Sequence, residues 1–85
     1  MKVVKNELRE LVVETTDENF INPLIETLLR DEDVKYAGKI KEHPLTDTIH
    51  LIVRTKNGSA EEALDRAINE LGETFKKLRE ELAGA

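Results

Sequence analysis

The sequence predicts an α+β fold, an antiparallel sheet of about four strands with two helices on one face, in the order β-β-α-β-β-α. Two observations carry this expectation. Leu11 and Val13, and again Ile49, Leu51 and Val53, recur at every second residue, the period of a strand with one covered face. Ala60, Ala63, Leu64, Ala67, Ile68, Leu71, Phe75, Leu78 and Leu82 recur at helical spacing, the stripe of a long amphipathic helix. Strands with one greasy face each need a covering layer, and the helices supply it. The 85 residues read as a single domain over 1–85. A chain this short buries only about 60% of its unfolded surface, so its own core is marginal.

The elements follow in order. Lys2–Lys5 and Leu8–Glu14 read as two short strands, the second with Leu11 and Val13 inward. Thr15 to Asn19 is turn-like and offers several helix caps. The first helix has two possible starts. It begins at Pro23 behind an Asn22 cap, or near Asp17 with Pro23 inside it, where proline costs roughly 3 kcal/mol. Leu24, Leu28 and Leu29 form its apolar stripe, and the acidic run Asp31-Glu32-Asp33 ends it. In the next strand Val34, Tyr36, Gly38 and Ile40 share one face, while Lys35, Lys39 and Lys41 line the other. His43-Pro44-Leu45 is a turn, with the proline holding His43 extended. Thr48–Lys56 is the last strand, and Asn57-Gly58 turns the chain. Ser59 with Glu62 has the form of a capping box for the long helix. Glu61, Glu62 and Asp65 lie early in that helix and Lys76, Lys77 and Arg79 late, as its macrodipole prefers. Gly72 is a weak point within it. Leu11, Val13, Ile40, Leu51, Val53, Leu64 and Ile68 are the expected core.

Composition removes several classes of function. Hydrophobic residues at 39% and charged residues at 36% suit a globular chain, not a disordered one. There is no cysteine, so no disulfide framework and no cysteine-ligated zinc. No apolar run approaches the roughly 20 residues that span a bilayer, and the start lacks a secretory h-region, so a soluble cytoplasmic protein without membrane contact is expected. A net charge of −5 argues against a surface that itself grips nucleic acid. His43 and His50 with scattered carboxylates do not make a metal site. Ser59 is spent as a cap, and the four glycines are too dispersed for a phosphate loop. We therefore expect no catalytic, cofactor-binding or metal-binding residue in this chain.

Asp33 to Asp47, Asp-Val-Lys-Tyr-Ala-Gly-Lys-Ile-Lys-Glu-His-Pro-Leu-Thr-Asp, followed by Arg54-Thr55-Lys56, Asn57-Gly58, and Ala63-Leu64 with Ala67-Ile68, forms an ordered set of pieces. The set resembles the small alpha-like subunits of archaeal DNA-directed RNA polymerase, the subunit L family, over about Leu11 to Leu82. The family's first-helix motif, roughly Asp-His-Thr-Leu-Gly-Asn-Leu, falls on Asp17 to Pro23. Asp17 and Asn22 match it and Phe20 replaces the leucine conservatively, while Glu18, Asn19, Ile21 and Pro23 depart.

The resemblance implies the alpha-like dimerisation fold and a non-catalytic role in transcription. This chain would heterodimerise with the larger alpha-like subunit of the polymerase, the D-type subunit, to form the assembly platform for the large catalytic subunits. It would be part of an enzyme only as a component of that nucleotidyltransferase, and would meet DNA only indirectly, through the complex and its other subunits. The implied partner interface is Phe20, Asn22, Leu24, Leu28, Leu71, Phe75, Leu78 and Leu82.

Helix length points the same way. A helix from Ala60 to Leu82 is about 35 Å long, whereas a compact domain of this size is roughly 30 Å across. Its far end should overrun the sheet, with Leu64 and Ile68 in the chain's own core and Phe75, Leu78 and Leu82 left for a partner. The isolated chain is then expected to self-associate or to be of low stability. Two other readings stand beside this one. A free-standing homodimeric interaction or regulatory module would use the same helix faces, and a small α+β enzyme would need the nucleophile, base and cofactor loop that are missing.

Overall fold

The computed structural model describes residues 1–41 and 47–84. The expected His43-Pro44-Leu45 turn lies outside the described residues. Four strands and two helices follow one another: β1 (Lys2–Asn6), β2 (Glu10–Thr15), α1 (Glu18–Leu29), β3 (Val34–Lys41), β4 (Ile49–Thr55) and α2 (Ala60–Gly84). The strands form one sheet in the order β1-β2-β4-β3, every neighbouring pair antiparallel. Both helices lie on the same face, which gives the expected α+β architecture and element order. The shortest dimension, 17 Å, is that of two layers.

The core lies between those layers. Leu11 and Val13 of β2 and Leu51 and Val53 of β4 meet Ile21, Leu24 and Leu28 of α1 and Ala60, Ala63, Leu64 and Ala67 of α2. The alanines of α2 matter here because small side chains let the helix lie close to the sheet. Both outer strands carry exposed lysines, Lys2 and Lys5 on β1 and Lys35, Lys39 and Lys41 on β3. Charge of that kind protects unpaired strand edges from joining another sheet.

Two predicted core residues are corrected. Ile40 is 49% exposed and Ile68 is 44% exposed. For Ile40 the reason is a β-bulge. The register of β3 against β4 shifts between Val34 and Tyr36, with Val34 opposite Thr55 and Tyr36 opposite Arg54. The extra residue turns the rest of the strand over, so Val34 and Ala37 face the core while Tyr36, Gly38 and Ile40 face outward. For Ile68 the reason is the path of α2, which turns Ala63, Leu64 and Ala67 to the sheet and leaves Ile68 on the flank.

The start of α1 is settled at Asp17, whose Oδ1 accepts from the Asn19 N–H at 3.1 Å. Pro23 is inside the helix. It removes the N–H that would reach the Asn19 carbonyl, and Asn19 is exposed, so water can take that carbonyl. At the other end, Leu29 is 56% exposed and leaves the expected stripe. Ile21, fully buried, takes a place in the core that the sequence pattern did not assign.

The α2 start is held from several directions. Ser59 Oγ accepts from the Glu62 N–H at 2.9 Å, the serine half of the expected capping box. The Ala60 N–H donates to the Leu8 carbonyl at 2.8 Å, and Thr55 Oγ1 donates to the Gly58 carbonyl at 2.9 Å. Gly58 has φ 69°, the left-handed conformation that glycine adopts without penalty. These bonds tie the β1–β2 link, the end of β4 and the helix start into one corner.

Candidate partner interface

α1 and α2 lie side by side over the sheet, and three contacts fix how they run. Phe20 near the start of α1 packs edge-on against Phe75, with ring centroids 6.0 Å apart and planes at 87°. At the other end of α1, Arg30 lies 3.7 Å from Glu70. The Arg66 guanidinium reaches Asp31 at 3.0 Å and Asp33 at 3.5 Å. The two helices therefore run in opposite directions. The acidic run after α1 serves as the helix-end charge cluster that the sequence suggested, with Asp31 and Asp33 gripping α2.

Between the helices and the chain start lies an open apolar groove of about 410 Å³. Met1, Phe20, Leu24, Ile68, Leu71 and Phe75 line most of it, and Asp17 has the one charged side chain in its wall. Gly72 also lines it, and nothing lies within 4 Å of where a Cβ would stand. Past the groove α2 continues alone. Leu78 is 50% exposed and Leu82 is 79% exposed, both on the stripe that began at Leu64. The apolar face thus has two parts, a groove beside α1 and a ridge beyond it.

The expected interface residues divide accordingly. Phe20, Phe75, Leu78 and Leu82 are exposed, and Asn22 is exposed as well. Leu71 is half-buried against the core. Leu24 and Leu28 are buried within the chain, Leu24 also forming part of the groove's floor. The structure adds Met1 and Ile68 to this face. Ile68 was detectable, since Ile68, Leu71, Phe75, Leu78 and Leu82 alternate spacings of three and four. Met1 had no sequence signal, because its place depends on how β1 pairs with β2.

The opposite face of the sheet is polar at its edges. Glu10 on β2 lies between Lys5 of β1 and Arg54 of β4, bonded to both. Hydrogen bonding from Lys5, then from Arg54, holds the Glu10 carboxyl below its usual value, and Glu10 in turn raises Lys5. Arg54 also stands over the Tyr36 ring, 5.4 Å from its centroid. His50 lies on this outer face as expected, half-buried, with Nε2 3.7 Å from Glu14. Among the described residues no group of three or more His, Cys, Asp or Glu could hold a metal ion. No described helix is long and apolar enough to cross a membrane.

A two-layer α+β domain with one apolar helix face left open has the form of a dimerisation domain. Residues 9–81 match the RNA polymerase Rpb3/Rpb11 dimerisation domain, and the chain belongs to that family. Among curated relatives, DNA-directed RNA polymerase subunit Rpo11 of Thermoplasma acidophilum is 29% identical over 80 residues, covering 92% of this chain and 72% of its own. The Rpo11 subunit of Pyrobaculum aerophilum is 30% identical over 71 residues, covering 81% of this chain and 77% of its own. The crystal structure of DNA-directed RNA polymerase subunit L from Thermoplasma acidophilum superposes with a TM-score of 0.85 at 27% identity, over 98% of this chain and 84% of that one. The chain is thus related to the L-type subunits of DNA-directed RNA polymerase, as the sequence resemblance implied.

Proposed function

We propose that this chain is a non-catalytic subunit of a DNA-directed RNA polymerase that heterodimerises with the larger alpha-like, D-type subunit. The pair forms the platform on which the large catalytic subunits assemble in the cytoplasm. Membership in a dimerisation-domain family supports the reading, and one observation carries it: the groove and ridge formed by Phe20, Leu71, Phe75, Leu78 and Leu82. Aromatic side chains are enriched at protein interfaces, and an apolar helix face laid into a groove is a recurring mode of protein recognition. The chain itself contributes shape and apolar surface, and the chemistry of nucleotide transfer belongs to other subunits.

The test is reconstitution. Purified chain mixed with the D-type subunit should give a one-to-one complex by sedimentation, and the large subunits should join that complex more readily than either component alone. Failure of the two chains to associate at micromolar concentrations would overturn the proposal.

A further inference from the structure

We infer that, without its larger partner, this chain pairs with a second copy of itself through the same groove and ridge, so that self-pairing and heterodimer formation are mutually exclusive. The inference rests on the partner face proposed above and says what occupies it beforehand. Three observations carry it.

The first is shape. One face carries both a groove, lined by Met1, Phe20, Ile68 and Phe75, and a projecting ridge of Leu78 and Leu82. Under a two-fold axis the ridge of each copy lies over the groove of the other, so one face is its own complement. The second is area. Met1, Phe20, Ile68, Phe75, Leu78 and Leu82 are between 44% and 79% exposed. Side chains of this size leave roughly 500–600 Å² of accessible surface per copy. Two copies would bury about 1,000–1,200 Å², the lower bound of specific interfaces. The third is charge. Asp17 has the one charged side chain lining the groove, and α2 beyond Gly72 carries Glu73, Glu80 and Glu81 against Lys76, Lys77 and Arg79. Two such faces meet without a block of like charge. An interface at the lower end of the size range suits weak, reversible pairing that a larger, better-fitted partner displaces. The consequence is a reversible cover for apolar surface that would otherwise be open before assembly.

Sedimentation equilibrium of the isolated chain across the micromolar range should show a reversible monomer–dimer equilibrium. Phe75→Glu and Leu82→Glu should each raise the dimer dissociation constant at least tenfold. Leu82 is so exposed that its variant keeps the fold, which circular dichroism checks. Adding the D-type subunit should convert the homodimer to a one-to-one heterodimer with no three-chain species. A wild-type chain that stays monomeric throughout overturns self-pairing, as does a dimer indifferent to both variants. A stable species with two copies of this chain on one larger partner overturns the shared face. If the monomeric chain still binds the larger partner, self-pairing falls while the assembly role stands. If the chain dimerises yet ignores that partner, the assembly role falls, and dissociation of the dimer by both variants supports self-pairing on its own.

Discussion

Glu10 illustrates how a single side chain on the outer face ties three strands together. Its carboxyl bonds Lys5 on β1 and Arg54 on β4 from its own place on β2. Because those bonds hold the folded-state value below 4.5, their stabilisation is present above that pH and is lost as pH falls through the lowered value. Lys5 is raised above 10.5, so its share is present below that pH and is lost as pH climbs past the raised value. Glu10→Gln should therefore lower the melting temperature at neutral pH, with the gap to wild type narrowing in acid. Added salt should narrow it too, since the groups are on the surface. Melts at matched pH and salt decide the matter; a gap of constant size throughout would mean that packing, not charge, is lost. Leu28 is the contrasting residue. It is fully buried in α1, so Leu28→Ala should cost roughly 2–5 kcal/mol at any salt, read from denaturant midpoints. Gly38 is a gentler case. An added Cβ would fall on the Tyr36 phenol, but Tyr36 is exposed and free to swing off Arg54.

The long elements were legible because their periodicity is sustained. Leu11/Val13 and Ile49/Leu51/Val53 fixed the inward faces of β2 and β4, and the Ser59 cap and apolar stripe fixed α2. For β3 the alternation in the sequence predicts a phase one residue off beyond Val34. A bulge has no periodic signature of its own, and Val-Lys-Tyr-Ala-Gly-Lys-Ile alternates plausibly in either phase. Alanine at position 37 was the quiet clue, a small apolar residue where the core comes close. The two starts left open for α1 differ in whether Pro23 keeps an unfavourable interior place, and tertiary packing decided it. Ile21, Leu24 and Leu28 are all buried by the helix that begins at Asp17, and a start at Pro23 would forfeit Ile21. That cost remains in the fold, so Pro23→Ala should raise stability by about 1–3 kcal/mol by restoring the bond to the Asn19 carbonyl. Gly72→Ala should add about 1 kcal/mol in α2, where open space awaits the methyl group. Thermal melts of both variants test these signs, and a destabilised Pro23→Ala would mean that the ring's packing outweighs the missing bond. The partner face was legible in part. Its ridge lies on the α2 stripe, whereas the groove depends on three elements meeting and could not be read from any one of them.

The dimensions of the molecule express the same division. Its radius of gyration is 14.0 Å, against about 12 Å for a compact chain of this length, and its longest extent is 43 Å. With 25 residues, α2 is about 37 Å long and runs past the sheet it covers. The structure moves the boundary between its two halves toward the helix start. Leu64 and Ala67 belong to the core, Ile68 already lines the groove, and every described residue from Gly72 onward is exposed. A charge placed on either side of that boundary should therefore do different things. Leu64→Glu puts a carboxylate into the same buried cluster that holds Leu11, Leu28 and Val53, where an unpaired charge cannot be accommodated, and should unfold the domain. Phe75→Glu puts one beside Phe20 in an open groove, where water reaches it. It forfeits the edge-on ring contact, worth about 0.5–1.5 kcal/mol, but leaves the core intact. At a partner's surface the same change removes a central anchor, and such losses commonly cost about 2 kcal/mol or more, so binding to the D-type subunit should weaken well over tenfold. Circular-dichroism melts paired with binding titrations separate the two outcomes. If Phe75→Glu melts as low as Leu64→Glu, the ring pair is part of the core and the open face begins further along the helix. If it stays folded and binds the larger partner unchanged, that partner docks elsewhere.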